Sequence, residues 1–294
     1  MFPTFTQKRL RANGVEIHTL VGGSGPPLLL LHGYPQSHLI WHRVAPELAK
    51  QFTVVVTDLR GYGQSEKLIG APDHGNYSKR AMAQDQLEVM AQLGFEHFFL
   101  CGHDRGGRVA HRLAVDHPDA VKKLMLLDIS PTLTMYEQTS MDFARAYWWW
   151  FFLIQPSPFP ESMVAAAPET YLKKKIGWGH AGLTPFTDET YAAYLSYVSD
   201  PATMHAMCED YRAAAGIDLT HDRADRAAGK KIACDVRALW GEFGVVNRCF
   251  KPVEDWRAVT QGDFEVSGNT VPCGHYIPEE RPELLLKEMQ DFFR

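Results

Sequence analysis

Cysteine is scarce in this chain, and its spacing excludes several classes of protein. The five cysteines are widely separated, and no two of them form a C-x-x-C pair. A small domain that depends on disulfides or on a structural zinc ion would show closely spaced pairs. The cysteines therefore predict reduced thiols in a cytoplasmic protein, with no zinc site.

Other absences narrow the range of partners. The sequence contains no apolar run of membrane-spanning length and no basic block, and its net charge is −5. These features predict a protein that binds neither membranes nor nucleic acid. The first residues also lack the pattern of a signal peptide. A length of 294 residues, 45% of them hydrophobic, suits one α/β domain with an insertion.

Strand-like and helix-like segments alternate along most of the chain. Continuous apolar runs at residues 27–31 and 98–102 are typical of buried parallel strands. In the middle of the chain the pattern changes to helical, aromatic segments broken by prolines, and strand signals return afterwards. We therefore predict a core domain formed by residues 1–130 and 219–294, interrupted by a helical cap at residues 131–218.

The most informative motif is Gly102-His103-Asp104-Arg105-Gly106, which lies between a predicted strand and a predicted helix. This context is that of a nucleophile elbow, in which small residues flank a reactive side chain on a sharp turn. The usual elbow carries serine, whereas this chain carries Asp104. A carboxylate in that position can attack an sp³ carbon and form an alkyl ester, which water must then cleave.

A base and a supporting acid are expected at the same edge of the sheet. His275 lies in a loop between the last predicted strand and the last predicted helix, where a base for this nucleophile would belong. Two acids could orient it, namely Asp128 and Glu242, since each follows a predicted strand. We favour Asp128, because it directly follows apolar residues and a carboxylate there would be costly to bury without a partner.

Further groups fit the same edge. The loop after residues 27–31 carries Tyr34, whose backbone N–H could form an oxyanion hole with the backbone N–H of Arg105. Arg105 and Arg108 begin the helix that follows the elbow. A helix N-terminus already favours anions, and two guanidinium groups there would bind a small carboxylate firmly.

The predicted cap is rich in aromatic residues that carry hydrogen-bond donors. The run Tyr147-Trp148-Trp149-Trp150 lies in it, and Tyr211 lies further along the same segment. Indole N–H and phenol O–H groups can face a departing halide. The cap is therefore a candidate source of halide ligands.

With these motifs in this order, the chain resembles the α/β-hydrolase superfamily and, within it, the haloacetate (fluoroacetate) dehalogenases. The motifs that carry the resemblance extend over nearly the whole chain: His32-Gly33-Tyr34-Pro35-Gln36, Asp58-Leu59-Arg60-Gly61-Tyr62-Gly63, Gly102-His103-Asp104-Arg105-Gly106-Gly107-Arg108, Leu127-Asp128-Ile129, Ala144-Arg145-Ala146-Tyr147-Trp148, Asp210-Tyr211-Arg212-Ala213 and Gly274-His275. The resemblance implies an α/β-hydrolase fold with a mostly parallel eight-stranded sheet, helices on both faces and a helical cap inserted after strand 6.

The resemblance also implies a role for each site residue. It matches the nucleophile, base and supporting acid to Asp104, His275 and Asp128. It matches the pair that holds the substrate carboxylate to Arg105 and Arg108, and two of the three halide donors to Trp150 and Tyr211. The third halide position, a histidine in the family, falls on Trp149. Because tryptophan is bulkier and has a single N–H, we expect defluorination to suffer more than dechlorination or debromination.

These inferences predict a hydrolytic dehalogenase that converts a short 2-haloacid to the 2-hydroxyacid and halide through an ester on Asp104. Haloacid and water are the expected partners, no metal or organic cofactor is expected, and the resemblance suggests a homodimer. An epoxide hydrolase is the nearest alternative, although a neutral epoxide has no use for paired arginines. A non-enzymatic protein that binds a small acid is a second alternative, which intact Asp104, Asp128 and His275 disfavour.

Overall fold

A single sheet of eight strands organises the protein, whose computed structural model describes residues 1–177 and 179–294. In chain order the strands are β1 (Thr6–Ala12), β2 (Val15–Gly22), β3 (Pro27–Leu31), β4 (Thr53–Thr57), β5 (Phe98–His103), β6 (Val121–Leu127), β7 (Asp235–Gly241) and β8 (Val266–Val271). Their spatial order is β1-β2-β4-β3-β5-β6-β7-β8. The first three in this order pair antiparallel and the remaining pairs are parallel. The predicted α/β-hydrolase fold is confirmed.

Helices cover both faces of this sheet, and further helices form the segment between β6 and β7. They are α1 (Ala45–Leu48), α2 (Lys79–Gln92), α3 (Arg105–Asp116), α4 (Thr132–Glu137), α5 (Met141–Ala146), α6 (Trp148–Leu153), α7 (Phe159–Ala166), α8 (Pro168–Ile176), α9 (Asp188–Ser199), α10 (Pro201–Ala215), α11 (Ile217–Ala228), α12 (Val245–Cys249), α13 (Pro252–Ala258), α14 (Ile277–Glu280) and α15 (Pro282–Phe292). Short 3₁₀ helices occur at His38–Trp41 and Gly75–Tyr77. Within the described ranges, no helix is both long and apolar enough to cross a membrane.

Two buried clusters pack on opposite faces of the sheet. Leu28 and Leu30 belong to one cluster, and Leu29 and Leu31 belong to the other. Successive strand side chains point to opposite faces, so a strand that is apolar at every position must be covered on both sides. This explains why the continuous apolar runs in the sequence form central parallel strands.

The helices α4 to α11 lie between β6 and β7 and include the predicted cap. Proline occupies the first turn of α7 and of α8, where its missing N–H leaves no hydrogen bond unmade. The predicted boundary at residue 218 falls in the first turn of α11. Asp222 and Asp225 of that helix form ion pairs with Arg112 of α3 in the core, so α11 is anchored to the core domain.

The parallel strands bring the ends of distant segments to one edge of the sheet. Leu31 at the end of β3 pairs with Gly102 of β5, and His103 pairs with Leu127 at the end of β6. In such sheets the crevice at the carboxyl ends of the strands is the usual place for a ligand. The loops that carry Asp104 and Asp128 therefore begin side by side.

Candidate active site

Asp104 occupies the turn between β5 and α3 in a backbone conformation that few residues adopt. Its φ is 45° and its ψ is −112°, a region that costs a non-glycine residue conformational energy. A Cβ on Gly102 would lie 2.5 Å from the carbonyl oxygen of Gly106, and a Cβ on Gly106 would lie 2.4 Å from that of His32. The flanking glycines are therefore required by close backbone packing, which presents the carboxylate at the sheet edge.

Three titratable side chains meet at this edge. His275 Nε2 lies 3.4 Å from Oδ2 of Asp104, and His275 Nδ1 is hydrogen-bonded to Oδ2 of Asp128. The other oxygen of Asp128 accepts the backbone N–H of Gly241 at 2.9 Å. Asp128, and not the exposed Glu242, thus contacts the imidazole. A histidine held between two carboxylates is the geometry of a nucleophile, base and acid.

The charges of these groups shift one another's pKa. Burial favours the neutral form of Asp104, but the hydrogen bond and attraction from His275, with the positive charge of Arg108, lower its pKa below the ordinary value. Burial also disfavours a charged His275, yet hydrogen bonds to Asp104 and Asp128 raise its pKa to about 9. The resting site therefore pairs an anionic carboxylate with a protonated imidazole, and loss of either carboxylate charge would lower the pKa of His275.

His103, inside the elbow motif, contacts the backbone of His275. Its Nε2 is 2.8 Å from the backbone carbonyl oxygen of His275. Burial lowers the pKa of His103 to about 3, so the ring is neutral and donates this hydrogen bond. It thereby ties the loop that carries His275 to the end of β5.

The loop after β3 packs directly against the nucleophile. A Cβ on Gly33 would lie 2.5 Å from Cβ of Asp104. The backbone of Tyr34, the next residue, is held beside the elbow because β3 and β5 are neighbouring parallel strands. Arg105 begins α3 immediately after Asp104. The two residues proposed for the oxyanion hole, Tyr34 and Arg105, therefore both belong to segments that adjoin Asp104.

Arg105 is largely occupied by a partner in the cap. Its Nε donates to Oδ2 of Asp210 at 2.9 Å, and its Nη2 donates to Oδ1 of Asp210 at 2.6 Å. Asp210 also accepts hydrogen bonds from Tyr62 Oη and from Lys79 Nζ. Within residues 1–177 and 179–294, Nη1 of Arg105 is buried without a hydrogen-bond partner. Arg105 thus links core to cap and keeps one donor group for a ligand.

Arg108 differs because no carboxylate of the described residues forms an ion pair with it. Its Nη1 donates to Thr132 Oγ1 at 3.0 Å and its Nη2 contacts Met135 Sδ at 3.2 Å. The guanidinium lies 4.7 Å above the ring of Trp150. The Nε of Arg108 is buried and has no hydrogen-bond partner among the described residues. Burial lowers the pKa of Arg108 below its ordinary value, and an anion bound here would supply a counter-charge.

The three aromatic residues considered as halide ligands come together at the cap side of the site. Trp150 is fully buried, and among the described residues its Nε1 has no hydrogen-bond partner. Trp149 Nε1 donates to Tyr211 Oη at 3.2 Å. The ring of Tyr211 stacks on the guanidinium of Arg105, with 4.2 Å from Cζ to the ring centre. The Trp149 N–H is therefore directed at Tyr211, which leaves the Tyr211 hydroxyl hydrogen for another acceptor.

Two functional candidates were missed in the sequence. One is Asp210, which pairs with Arg105 and precedes Tyr211 in the chain. The sequence signal for it was an acidic residue among the apolar residues of a helix. Lys175 was hidden in a run of three lysines in α8. Its spacing from Leu172 and Ile176 puts it on the apolar face of that helix, and it is 1% exposed.

One group of side chains apart from this site has the chemistry of metal ligands. His18 Nδ1 lies 3.1 Å from Oδ2 of Asp58, and His38 Nδ1 lies 2.9 Å from Oδ1. Asp58 also accepts the backbone N–H groups of His38 and Gln64, at 2.7 and 2.8 Å. Protein donors thus already use both oxygens, which is typical of a carboxylate that caps a loop.

Comparison with known proteins agrees with this architecture. Residues 26–208 match the α/β hydrolase fold family. The chain is 44% identical to a fluoroacetate dehalogenase of Burkholderia sp, over 99% of this chain and 95% of that protein. It is 33% identical to a soluble epoxide hydrolase of Corynebacterium sp. (strain C12), over 100% of this chain and 99% of that one. The crystal structure of ALR0039 from Nostoc sp PCC 7120 is similar with a TM-score of 0.96 and 51% identity, covering 100% and 99% of the two chains.

The chain therefore belongs to the α/β-hydrolase family. Within that family its relationship to the fluoroacetate dehalogenase extends over almost its entire length. The resemblance inferred from the motifs is thus confirmed.

Proposed function

We propose that this chain is a hydrolytic dehalogenase that converts short 2-haloacids to 2-hydroxyacids and halide. The observation that carries the proposal is Arg108, a buried guanidinium that forms no ion pair with the described carboxylates although Asp104 lies close enough to attract it. A neutral substrate would leave this cation uncompensated, whereas a 2-haloacid brings a carboxylate. The relationship to a fluoroacetate dehalogenase supports the same conclusion.

In the first step the substrate carboxylate binds Nε of Arg108 and Nη1 of Arg105, the donors without a partner in the described chain. Asp104 then attacks the halogen-bearing carbon in line. A C–O bond forms, the carbon–halogen bond breaks, and its electron pair leaves with the halide. The Trp150 N–H and the Tyr211 O–H stabilise the departing anion.

In the second step the ester on Asp104 is hydrolysed. Ester formation removes the Asp104 charge, which helps to raise the pKa of His275 in the resting site. The imidazole then releases its proton to solvent and, once neutral, can remove a proton from water. The water oxygen attacks Cγ of Asp104, and the Tyr34 and Arg105 backbone N–H groups stabilise the oxyanion. The bond between Cγ and the substrate oxygen then breaks, and the 2-hydroxyacid leaves with the proton from His275. The acid proton left on Asp104 passes to His275, which restores the resting carboxylate and imidazolium.

Halogen preference depends on Trp149 in this proposal. Its N–H is directed at the Tyr211 oxygen, so it acts on the halide only through Tyr211. Fluoride is the most strongly hydrated halide and requires close, convergent donors. We therefore propose that chloro- and bromoacetate are turned over faster than fluoroacetate.

Epoxide hydrolysis is the second candidate, because a soluble epoxide hydrolase is 33% identical over the whole chain. Tyr147 and Tyr211 in the cap could donate protons to an epoxide oxygen. The two buried arginines favour the haloacid.

A cytoplasmic location and a homodimer remain predictions from the sequence.

Halide release measured with fluoro-, chloro- and bromoacetate and with 2-chloropropionate, beside diol formation from styrene oxide, distinguishes the two candidates. We expect halide from the haloacids and little diol. A single turnover in heavy-oxygen water then tests the ester, because the label should enter the Asp104 carboxylate and not the first 2-hydroxyacid. Label that appears directly in the first product would contradict a covalent intermediate.

A further inference from the structure

A cavity of about 300 Å³ lies between the cap and the core, next to the catalytic histidine. We call it the antechamber and define it by Lys175, His180, Phe243, Val245, His275 and Tyr276, which are among its lining residues. Neither Asp104 nor the two site arginines line it. The antechamber is therefore a compartment distinct from the place where the substrate carboxylate is proposed to bind.

Lys175 contributes the one lysine to the described wall of this antechamber. Glu280 also lines the wall, but its oxygens accept the backbone N–H groups of Gly274 and Tyr276 at 2.7 and 2.9 Å. Asp104 and Asp128 act on the lysine charge only from beyond ion-pair distance. The residue is 1% exposed, and its Nζ donates to the neutral hydroxyl of Tyr276 at 2.9 Å. No carboxylate in the described part of the chain lies within the 4.0 Å of an ion pair. Buried lysines are normally paired, because an isolated ammonium is costly to remove from water.

Aromatic rings surround the ammonium but leave part of it available. Nζ lies 3.9 Å from the ring centre of Trp149, 5.3 Å from that of Tyr276 and 5.6 Å from that of Tyr34. Such cation–π contacts offset part of the desolvation cost. They use the charge of the ammonium rather than its hydrogens, and an ammonium has three N–H donors. With one hydrogen bond to Tyr276, two donors remain for a ligand from the antechamber.

The neighbouring lysines show that this arrangement is specific to position 175. Lys173 and Lys174 lie on the exposed side of α8, and Lys173 forms an ion pair with Glu169 at 2.8 Å. A helix that needed only positive surface charge would not turn a third lysine inwards among aromatic rings. Position 175 therefore holds a buried cation where an apolar residue would pack at lower cost.

We propose that Lys175 forms a second anion-binding site, in the antechamber, for the small monoanions that enter or leave the reaction site. This second proposal rests on the proposed function for the identity of those anions. The ligand is either the carboxylate of an arriving haloacid or the halide that departs after attack by Asp104, because an ammonium group can bind either anion.

Crystals soaked in bromide test the site without reference to activity. We expect an anomalous bromide peak within hydrogen-bond distance of Lys175 Nζ in the wild-type protein and in Lys174→Met, and no such peak in Lys175→Met. Displacement of the peak by acetate would show that carboxylates use the same site. Wild-type crystals with no bromide at Lys175 would overturn the proposal, whether or not the enzyme releases halide.

Steady-state kinetics then identifies which anion uses the site. In Lys175→Met, a carboxylate role predicts that kcat/KM for bromoacetate falls about 10-fold while kcat stays nearly constant, as expected for lost electrostatic guidance. A halide role predicts instead that kcat falls. Lys174→Met removes the same charge from the exposed side of the helix and should change neither value.

Thermal unfolding checks that each variant is folded. Two further variants keep the test valid if Lys175→Met does not fold. Lys175→Arg keeps the charge and should restore most of kcat/KM, whereas Lys175→Gln keeps polarity without charge and should behave like Lys175→Met. If folded Lys175→Gln matches wild type in both kinetic parameters, the antechamber site is wrong. If wild type releases no halide from any haloacid, the proposed function fails while the bromide result still stands.

Discussion

Compared with the sheet edge, where the imidazole of His275 lies between two carboxylates, the side of the candidate site that faces the cap holds a guanidinium, that of Arg108, with no ion-pair partner among the described residues. Asp104, His275 and Asp128 contact one another in a chain. Across the described site, Arg108 Nε and Trp150 Nε1 have no acceptor. In the proposed function, the core supplies the covalent chemistry, and the donors without a partner bind the substrate anion or the halide.

The largest expected effect comes from a substitution at the sheet edge. His275→Asn should still allow Asp104 to be alkylated but should slow ester hydrolysis by at least about 10³-fold, because the general base is lost. Intact-mass measurement after treatment with bromoacetate should show an adduct on the peptide that contains Asp104. His97→Asn, at an exposed histidine, should behave as wild type. An unmodified His275→Asn protein that still turns over would remove His275 from this role.

Substitution of the two arginines sharpens the comparison. Arg105→Met removes the bidentate partner of buried Asp210, although Lys79 and Tyr62 still contact that carboxylate. We therefore expect a loss of roughly 1.5–3 kcal/mol in unfolding free energy as well as weaker substrate binding. Arg108→Met strands no carboxylate and should leave stability nearly unchanged. Its kcat/KM for haloacids should fall by an amount equivalent to about 1.5–3 kcal/mol, from lost charged hydrogen bonds.

Urea unfolding and enzyme kinetics on both variants measure these two effects separately. Arg108→Met that matches wild type in kcat/KM for every haloacid would contradict its assignment as a carboxylate ligand. Equal stability of the two variants would contradict the structural role given to the pair between Arg105 and Asp210.

The pH dependence of stability tests the coupling within the core side. Folding raises the pKa of His275 from 6.5 to about 9, so the folded protein holds a proton that the unfolded chain releases between these values. The resulting stability is fully present below pH 6.5 and is lost as the pH rises through 9. We expect the unfolding free energy to decline between pH 7 and 9 by roughly 1–3 kcal/mol more in wild type than in His275→Asn.

Comparison with that variant is essential, because burial lowers the pKa of Lys175 to about 8 and its titration has the opposite effect on stability. Urea unfolding of both proteins at each pH gives the difference directly. Identical pH profiles would mean that His275 is not protonated beside Asp104 in the folded protein.

The smallest expected effect concerns the cap. Trp149→His should raise the rate with fluoroacetate relative to chloroacetate by about 10-fold, the equivalent of one hydrogen bond. Trp148→His alters the neighbouring residue of α6, which is partly exposed and lies outside the halide group. That control should leave the ratio of the two rates unchanged. An unchanged ratio in Trp149→His would mean that this position does not decide halogen preference.

Local sequence patterns located the central strands well, because a strand buried on both faces is apolar at every position. Residues 27–31 and β3 coincide, and β5 extends the predicted strand 98–102 by one residue. The β1–β2 hairpin had no such signal. Most residues of β1 are exposed, so apolar and polar positions do not alternate there, and its place in the sheet was expected only from the family resemblance.

The sequence alone determined the elbow, since its glycines, its acid and its place between a strand and a helix are all local features. It also narrowed the acid to Asp128 or Glu242, but only the fold put Asp128 against His275, 147 positions along the chain. The pairing of Arg105 with Asp210 likewise joins residues 105 positions apart. Burial of Lys175 among rings from the core and the cap was decided in the same way. Such contacts depend on how the cap packs on the sheet, and therefore on summed packing energies that no single segment encodes.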